Sequence, residues 1–397
     1  MPGPLEGLRV LDVSRILTGP YCSMILGDLG AEVIKIEIPG QGDDTRQWGP
    51  PFIAGESAYF LCINRNKKSL TLNLASEEGR NILYDLAAKC DVLLENFRPG
   101  VTDKLKIDYQ TVSTKVPQLI YCSITGYGPN GPYRDDPAYD LVIQGMGGLM
   151  GITGEPGRPP VRIGVALSDI GAGMYAAIAI LAAIAARNRT GKGQYIDISL
   201  LDSTVSWLTY MAAYYFATGQ NSERMGSAHP TIVPYQCFET KDQEFISVAI
   251  GNDRLFREFC EVLGIKELAD DPRFSTNPAR VANRKELTPL LERLFHEKTR
   301  KEWLQALTQA KLPAGPVYSI SEVFSDPQVL FREMLIKITH AKAGEINQIG
   351  IPMKFSATKP VIESPPPLLG ENTDEILSSL LGYDKLRISE LHERAII

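Results

Sequence analysis

Apolar residues come in short blocks along the first two hundred positions, separated by polar, Gly-rich or Pro-rich segments. "LRVLDVS" (8–14) is short and apolar, which predicts a buried strand. "GPYCSMILGDLG" (19–30) predicts a helix ended by Gly30, and "AEVIKIE" (31–37) a second strand. Strand, helix, strand is the signature of a parallel sheet. The alternation continues through "KSLTLNL" as strand and "SEEGRNILYDLAAKC" as a helix opening on a Ser76 cap. "DVLLENF", "LIYCSITGYG" and "GQYIDISLLD" (193–202) read as further strands. The fold class is therefore α/β, with an open, mostly parallel, Rossmann-like sheet.

Before the last of these strands lies "GVALSDIGAGMYAAIAILAAIAA" (164–186), too rich in Ala and Gly for a good strand. It reads as a close-packed buried helix with Ser168 or Asp169 at its start. Ile170–Ala186 is also the one membrane candidate. It reaches only the lower edge of spanning length and is dominated by weakly hydrophobic Ala, so a core helix is the better reading.

After about residue 220 the pattern changes. "QCFETKDQEFISVAIGN" (236–252) predicts an antiparallel hairpin around a Lys-Asp turn, and charged helical segments follow it. The organisation expected is a large α/β domain over 1–220, a small α+β domain over 221–329, and a segment over 330–397. That last segment returns to the large domain or reaches a partner subunit.

Composition narrows the function. A chain of 397 residues with 44% hydrophobic content supports a sizeable core. A formal net charge of −6 argues against a nucleic-acid-binding surface. Cys22, Cys62, Cys90, Cys122, Cys237 and Cys260 form no CxxC pair, and the four histidines have no zinc-type spacing, so no metal is expected. "MPGPLEGLRVLDVSR" lacks the features of a signal or transit peptide. The expectation is a soluble, cytoplasmic protein without a membrane partner.

Candidate chemistry follows from what the motifs exclude. The first strand–helix turn, "DVSRILTGPYCSM", has one Gly where a dinucleotide site wants GxGxxG. The chain has neither GxxxxGK[ST] nor GxSxG. Acid-base or carboxylate chemistry remains, with an organic cofactor bound in an unfamiliar way. Asp169 has a plain reading as a helix N-cap. Against that, Gly171 and Gly173 would let another molecule approach the backbone, and a helix N-terminus favours the ionised state a nucleophile needs. "INRNKKS" (63–69) and "ENFRPG" (95–100) adjoin strands, where ligands of open α/β sheets gather. "PGQGDDTRQWGPP" (39–51) is either a lid or a connector, and "GYGPNGPYRDDPAYD" (126–140) has the composition of a surface loop.

Taken together and in order, these segments resemble the class III coenzyme A transferases, a family that includes formyl-CoA transferase, carnitine CoA-transferase and the α-methylacyl-CoA racemases. The resemblance rests on "GDDTR", "NRNKKS", "ENFRPG", "SITGYGPNGPY", "SDIGAGMYA", "RTGKGQYIDISLLD", "PAGPV" and "PPPLLGENTDEIL", and runs from about Leu5 to Leu391. It implies Asp169 as the catalytic nucleophile. It implies coenzyme A contacts at Ile16, Leu17, Thr18, Lys67, Asn96, Phe97 and Lys104, and a pair facing the acyl group at Tyr139 and Asp140. It also implies an interlocked-ring homodimer, with an acyl-CoA and a carboxylic acid as the small-molecule partners.

Two departures refine the expectation. The racemase branch has a His where this chain has Tyr139, and a phenol of ordinary pKa near 10 is poorly matched to α-proton transfer. Transfer is therefore favoured over α-methylacyl-CoA racemisation or a non-catalytic CoA-binding role. "GSAHPTIVPYQCF" (226–238) replaces the poly-glycine loop of formyl-CoA transferase and resembles the succinate/hydroxymethylglutarate CoA-transferase branch. Succinyl-CoA as donor and a C4–C6 dicarboxylate as acceptor are the substrates expected. The 226–238 loop is a candidate lid, and Arg46 or His229 a candidate partner for the distal carboxylate.

Overall fold

The computed structural model describes residues 3–397, in two compact units. Of the described residues, the first unit contains 3–149, 163–212 and 327–397, and the second 150–162 and 213–326.

The first unit is built on a sheet whose strands are covered on both faces, so their apolar residues run continuously. In chain order it contains β1 (Arg9–Asp12), α1 (Thr18–Asp28), β2 (Glu32–Glu37), β3 (Lys67–Thr71), α2 (Glu77–Ala87), β4 (Val92–Glu95) and β5 (Ile120–Thr125). There follow α3 (Asp140–Met146), α4 (Leu167–Thr190), β6 (Tyr195–Ser199) and α5 (Leu200–Ser206). All six strands are parallel, in the order β3-β2-β1-β4-β5-β6. Successive residues of β1 face opposite layers: Val10 packs with Cys22, Leu26, Ala172 and Ile180 of α1 and α4, and Leu11 with Leu83 and Leu86 of α2.

Local signals explain the element ends. The Ser76 hydroxyl accepts from the Gly79 amide at 2.9 Å and caps α2, as the sequence predicts. α1 stops at Asp28, and Gly30 turns the chain with φ +99°, a conformation that favours glycine. The expected strand over 193–202 ends at Ser199 because that hydroxyl accepts from the Asp202 amide and starts α5.

α4 differs from expectation. Its buried face (Ala172, Ala176, Ile180) packs on α1 and the sheet, whereas Met174 and Ile178 on the other face are 49% and 59% exposed. By length and composition α4 could cross a membrane, yet one face is committed to this core.

The 327–397 segment returns to the first unit. It forms a hairpin, Leu335–His340 with Gly344–Ile349, and ends in helices Thr373–Leu381 and Lys385–Glu393. Ser69 and Asn73, at the free β3 edge, bond to Asn372 and Ile396, and Ile376, Leu377 and Leu391 complete the layer around Leu11.

The second unit carries both helices and an antiparallel sheet, and it takes in 150–162 as well as 213–326. Its sheet is the hairpin Tyr235–Glu239 and Phe245–Ala249, extended by Ala314–Pro316. Phe238, Phe259, Phe295 and Trp303 form its core.

Candidate active site

In this strand order the sheet grows in opposite directions from β1 and β4, and ligands of such sheets bind at the carboxyl ends of the strands at that switch point. Two segments meet there: the turn after β1 (14–17) and Asn96–Phe97 after β4. Asn96 accepts from the Arg15 amide at 2.8 Å and donates to the Arg15 carbonyl at 2.7 Å. Ile16 has φ +70°, a strained conformation for a β-branched residue. Leu17 is buried, and Thr18 opens α1.

Asp169 lies in the first turn of α4, half-buried, and its carboxylate accepts a short hydrogen bond from the Thr18 hydroxyl. It is not the N-cap of its helix. That position is Ala166, with no side-chain cap, and the Ser168 amide is instead satisfied by Asp140 at 3.0 Å. Burial pushes Asp169 up to about 6, the Thr18 bond opposes this, and the Asp140 charge adds to it. Desolvation thus outweighs the helix-dipole effect expected from sequence, although the group is still mostly ionised at neutral pH.

The glycines of α4 serve packing and not ligand approach. A Cβ on Gly171 would meet the Trp207 ring at 1.7 Å, and one on Gly173 would meet the Thr18 carbonyl oxygen at 2.6 Å. Gly173 is therefore what lets Thr18 come close to Asp169.

Beneath the turn lies a sealed set of charges. Asp12, Lys35 and Lys67 are buried, as is Asp43. Lys67 donates to Pro20 O at 2.8 Å and Asn64 Oδ1 at 2.9 Å, and lies 3.5 Å from Asp12. Burial lowers its pKa to about 8, with Asp12 opposing. The ammonium, expected from the resemblance to contact the coenzyme, faces inward onto these protein partners. Lys35 pairs with Asp43 at 2.8 Å. Burial disfavours the Asp43 charge, yet Lys35 and Thr45 outweigh it and hold the carboxyl down at about 2. Asp43 belongs to "GDDTR", so that loop is anchored into the core as a connector.

The remaining sequence candidates divide. Phe97 sits beneath the Arg15 guanidinium at 5.5 Å and lines a cleft of about 270 Å³ at the ends of β1, β2 and β3. Val13, Ile38, Leu72, Leu74 and Leu105 give that cleft apolar walls. Lys104 is exposed at the end of a short helix (Val101–Lys104). Asp140 caps α4 and accepts from Gln144 at 2.8 Å, so its carboxylate is committed to structure, and Tyr139 beside it is 62% exposed. Arg46 is not available to a substrate carboxylate: it makes a two-point bond to Glu37 at 2.7 and 2.6 Å and stacks on Phe60. His229, in the second unit, accepts from the Thr231 amide at 3.2 Å.

Sequence reasoning missed Tyr59. Its phenol, pushed up to about 12 by burial and then by the Asp169 charge, stands near Asp169 against Leu17, Met24 and Ile63, with Trp48 edge-on at 5.2 Å. "GESAYFLCIN" carries no spacing that marks this tyrosine. Arg15 and the cleft walls were missed likewise, since plain strand-end residues give no pattern.

The chain is similar to known proteins over most of its length. The model of "CoA-transferase family III" matches residues 5–373. The human protein named succinyl-CoA:glutarate CoA-transferase is 44% identical over 394 residues, covering 99% of this chain and 90% of that protein. The Acetobacter aceti protein named acetyl-CoA:oxalate CoA-transferase is 42% identical, covering 89% of this chain and 90% of that one. A crystal structure of a CAIB/BAIF family protein from Brucella suis is 46% identical with a TM-score of 0.86, covering 96% of this chain and all of that chain. With a model match over most of its length and relatives at this identity, the chain belongs to CoA-transferase family III and is a CoA-transferase.

Proposed function

We propose that this enzyme moves CoA from succinyl-CoA to a C5-type dicarboxylate, with Asp169 as nucleophile. The observation that carries the reading is the half-buried Asp169 carboxylate held by Thr18 at the switch point of the sheet. The similarity to a protein named for succinyl-CoA and glutarate supports the choice of acids.

The Asp169 carboxylate attacks the thioester carbonyl carbon, the C–S bond breaks, and a mixed anhydride and CoA thiolate result. The thiolate attacks the aspartyl carbonyl, forming an Asp169–CoA thioester and releasing succinate. The acceptor carboxylate then displaces the thiolate from Asp169 to give a second anhydride, and the thiolate takes the acceptor's acyl group, regenerating the carboxylate. Each tetrahedral intermediate calls for N–H donors. α1 starts at Thr18, and a helix leaves its first amides without intrahelical acceptors, which makes them the candidates.

The apolar cleft beside Phe97, with Arg15 at its edge, suits an adenine ring and a phosphate, and the exposed Lys104 is the inherited candidate for another phosphate. Tyr59 and Trp48 would line the acyl side, with Tyr139 as the remaining inherited candidate. Tyr139 in place of a histidine keeps racemisation a weaker reading. The exposed apolar face of α4, Met174 and Ile178, with Leu141 and Met146 on α3, supports a homodimer whose partner covers it, an interlocked ring in the resemblance. The cytoplasm is the compartment proposed, since the cysteines are free thiols.

The test is a panel of acids offered with succinyl-CoA, read by mass spectrometry of the thioesters formed. Glutaryl-CoA should dominate. Preferential formation of oxalyl-CoA or formyl-CoA would refute the substrate choice, and α-deuterium exchange in a 2-methylacyl-CoA without acid exchange would favour the racemase.

A further inference from the structure

We propose that Asp43 is a positioning residue for catalysis: through the Ile16 amide it holds the strained turn that delivers the Thr18 hydroxyl to Asp169. The inference rests on Asp169 being the nucleophile, as proposed above.

Asp43 sits 27 residues from that turn and is fully enclosed with Lys35. Its Oδ1 accepts from the Thr45 amide at 2.9 Å and the Thr45 hydroxyl at 2.7 Å, and its Oδ2 accepts from Lys35 at 2.8 Å. Both oxygens also lie 3.3 Å from the Ile16 amide nitrogen, which donates between them. Lys35 reaches on to the Ser14 carbonyl at 3.0 Å, so the pair grips the turn by an N–H and a C=O. Asn96 holds the residue between, Arg15, by both backbone groups. Three consecutive residues are thus fixed by side chains that belong to three other segments.

The conformation explains the need. A β-branched residue avoids positive φ, and Ile16 has φ +70°. Such strain persists only where the surroundings over-determine it, and it concentrates at functional sites. Two residues further on stands Thr18, with its hydroxyl on Asp169. A buried ion pair is weak evidence for stability, because well-packed apolar residues often do as well. What apolar residues cannot do is accept from the Ile16 N–H and donate to the Ser14 carbonyl. The pair therefore acts on the direction of the turn.

The test is a cycle with Asp43→Asn and Ile16→Gly, since glycine adopts positive φ without strain. In Asp43→Asn, kcat with succinyl-CoA and glutarate should fall at least about tenfold, and the acid limb of its pH profile should move upward, as loss of the Thr18 bond to Asp169 requires. In the Ile16→Gly background the same substitution should cost less than about threefold. An Asp43→Asn enzyme with wild-type kcat and acid limb, or a penalty equal in both backgrounds, would overturn the proposal. If Asp43→Asn does not accumulate folded, Asp43→Glu keeps the charge beside Lys35 while displacing the oxygens from Ile16, and the same outcomes decide. Hydrogen exchange of the wild-type Val13–Gly19 segment gives a reading that needs no variant: the Ile16 amide should be protected, and exchange at the unstructured rate overturns the proposal. An unmodified Asp169 in the wild-type enzyme would instead refute the nucleophile and leave the grip on Ile16 to be judged by exchange.

Discussion

The Thr18 hydroxyl at the start of α1 donates to the Asp169 carboxylate in the first turn of α4, joining residues 151 positions apart. The bond ties the turn after the first strand to the candidate nucleophile. It also opposes the burial that raises Asp169 to about 6. Activity should therefore fall on the acid side with an apparent pKa near 6, because a protonated carboxyl does not attack a thioester. Thr18→Val keeps the shape and removes the donor, so the acid limb of kcat should move to higher pH, with a larger loss at pH 6 than at pH 8. A pH-rate profile of the two enzymes decides this; an unmoved limb would mean that Thr18 does not tune Asp169.

The same shift has a stability consequence. Asp169 holds its proton more tightly folded than unfolded, so the native state binds more protons between about pH 4 and 6, and stability falls as pH rises through that window. Asp169→Asn removes the buried charge and can still accept from Thr18. Its melting temperature should exceed that of the wild type at pH 8, and the gain should shrink towards pH 4. Equal melting temperatures at both pH values would contradict the desolvation argument.

Gly173→Ala places a methyl 2.6 Å from the Thr18 carbonyl, a backbone atom that cannot rotate away. α1 and α4 would have to part, at a cost of roughly 1–3 kcal/mol as overpacking usually does. Stability and kcat should both drop, as differential scanning calorimetry and steady-state kinetics would show. In Gly171→Ala the nearest atoms to the new methyl all belong to the Trp207 side chain. Its loss of stability should be recovered largely by Trp207→Leu in the same chain, whereas the Gly173→Ala defect should not respond to that change.

Lys67 puts inheritance by motif to its sharpest test. Were it a phosphate ligand, Lys67→Met would raise the KM for succinyl-CoA with little effect on folding. Because it is sealed between Asp12, Asn64 and the Pro20 carbonyl, removal should instead leave Asp12 without its ion partner and cost about 3 kcal/mol of stability. Urea titration and the KM of the folded fraction separate the two: a stable variant with a strongly raised KM would restore the ligand role.

The contrast between Lys67 and Asn96 marks how far the sequence was legible. The parallel sheet could be read because its strands are buried on both faces and their apolar runs are bounded by Gly and Ser punctuation, as at Gly30 and Ser76. Asp169 was legible as a residue of note, but not as one bonded to Thr18, since periodicity does not report contacts across 151 positions. "INRNKKS" placed a lysine near the site without showing that its ammonium points inward. Gly171 and Gly173 looked like room for a ligand and are room for Trp207 and Thr18, a distinction that needs the neighbouring elements. Arg46, a candidate partner for a substrate carboxylate, is held by Glu37.

The central claim, that Asp169 becomes acylated, is tested most directly by peptide mass mapping after incubation with succinyl-CoA and quenching with hydroxylamine. The account predicts a hydroxamate on the tryptic peptide spanning residues 163–187, at Asp169, and none in Asp169→Asn. A modification confined to another residue, or full turnover by Asp169→Asn with no modified peptide, would contradict it.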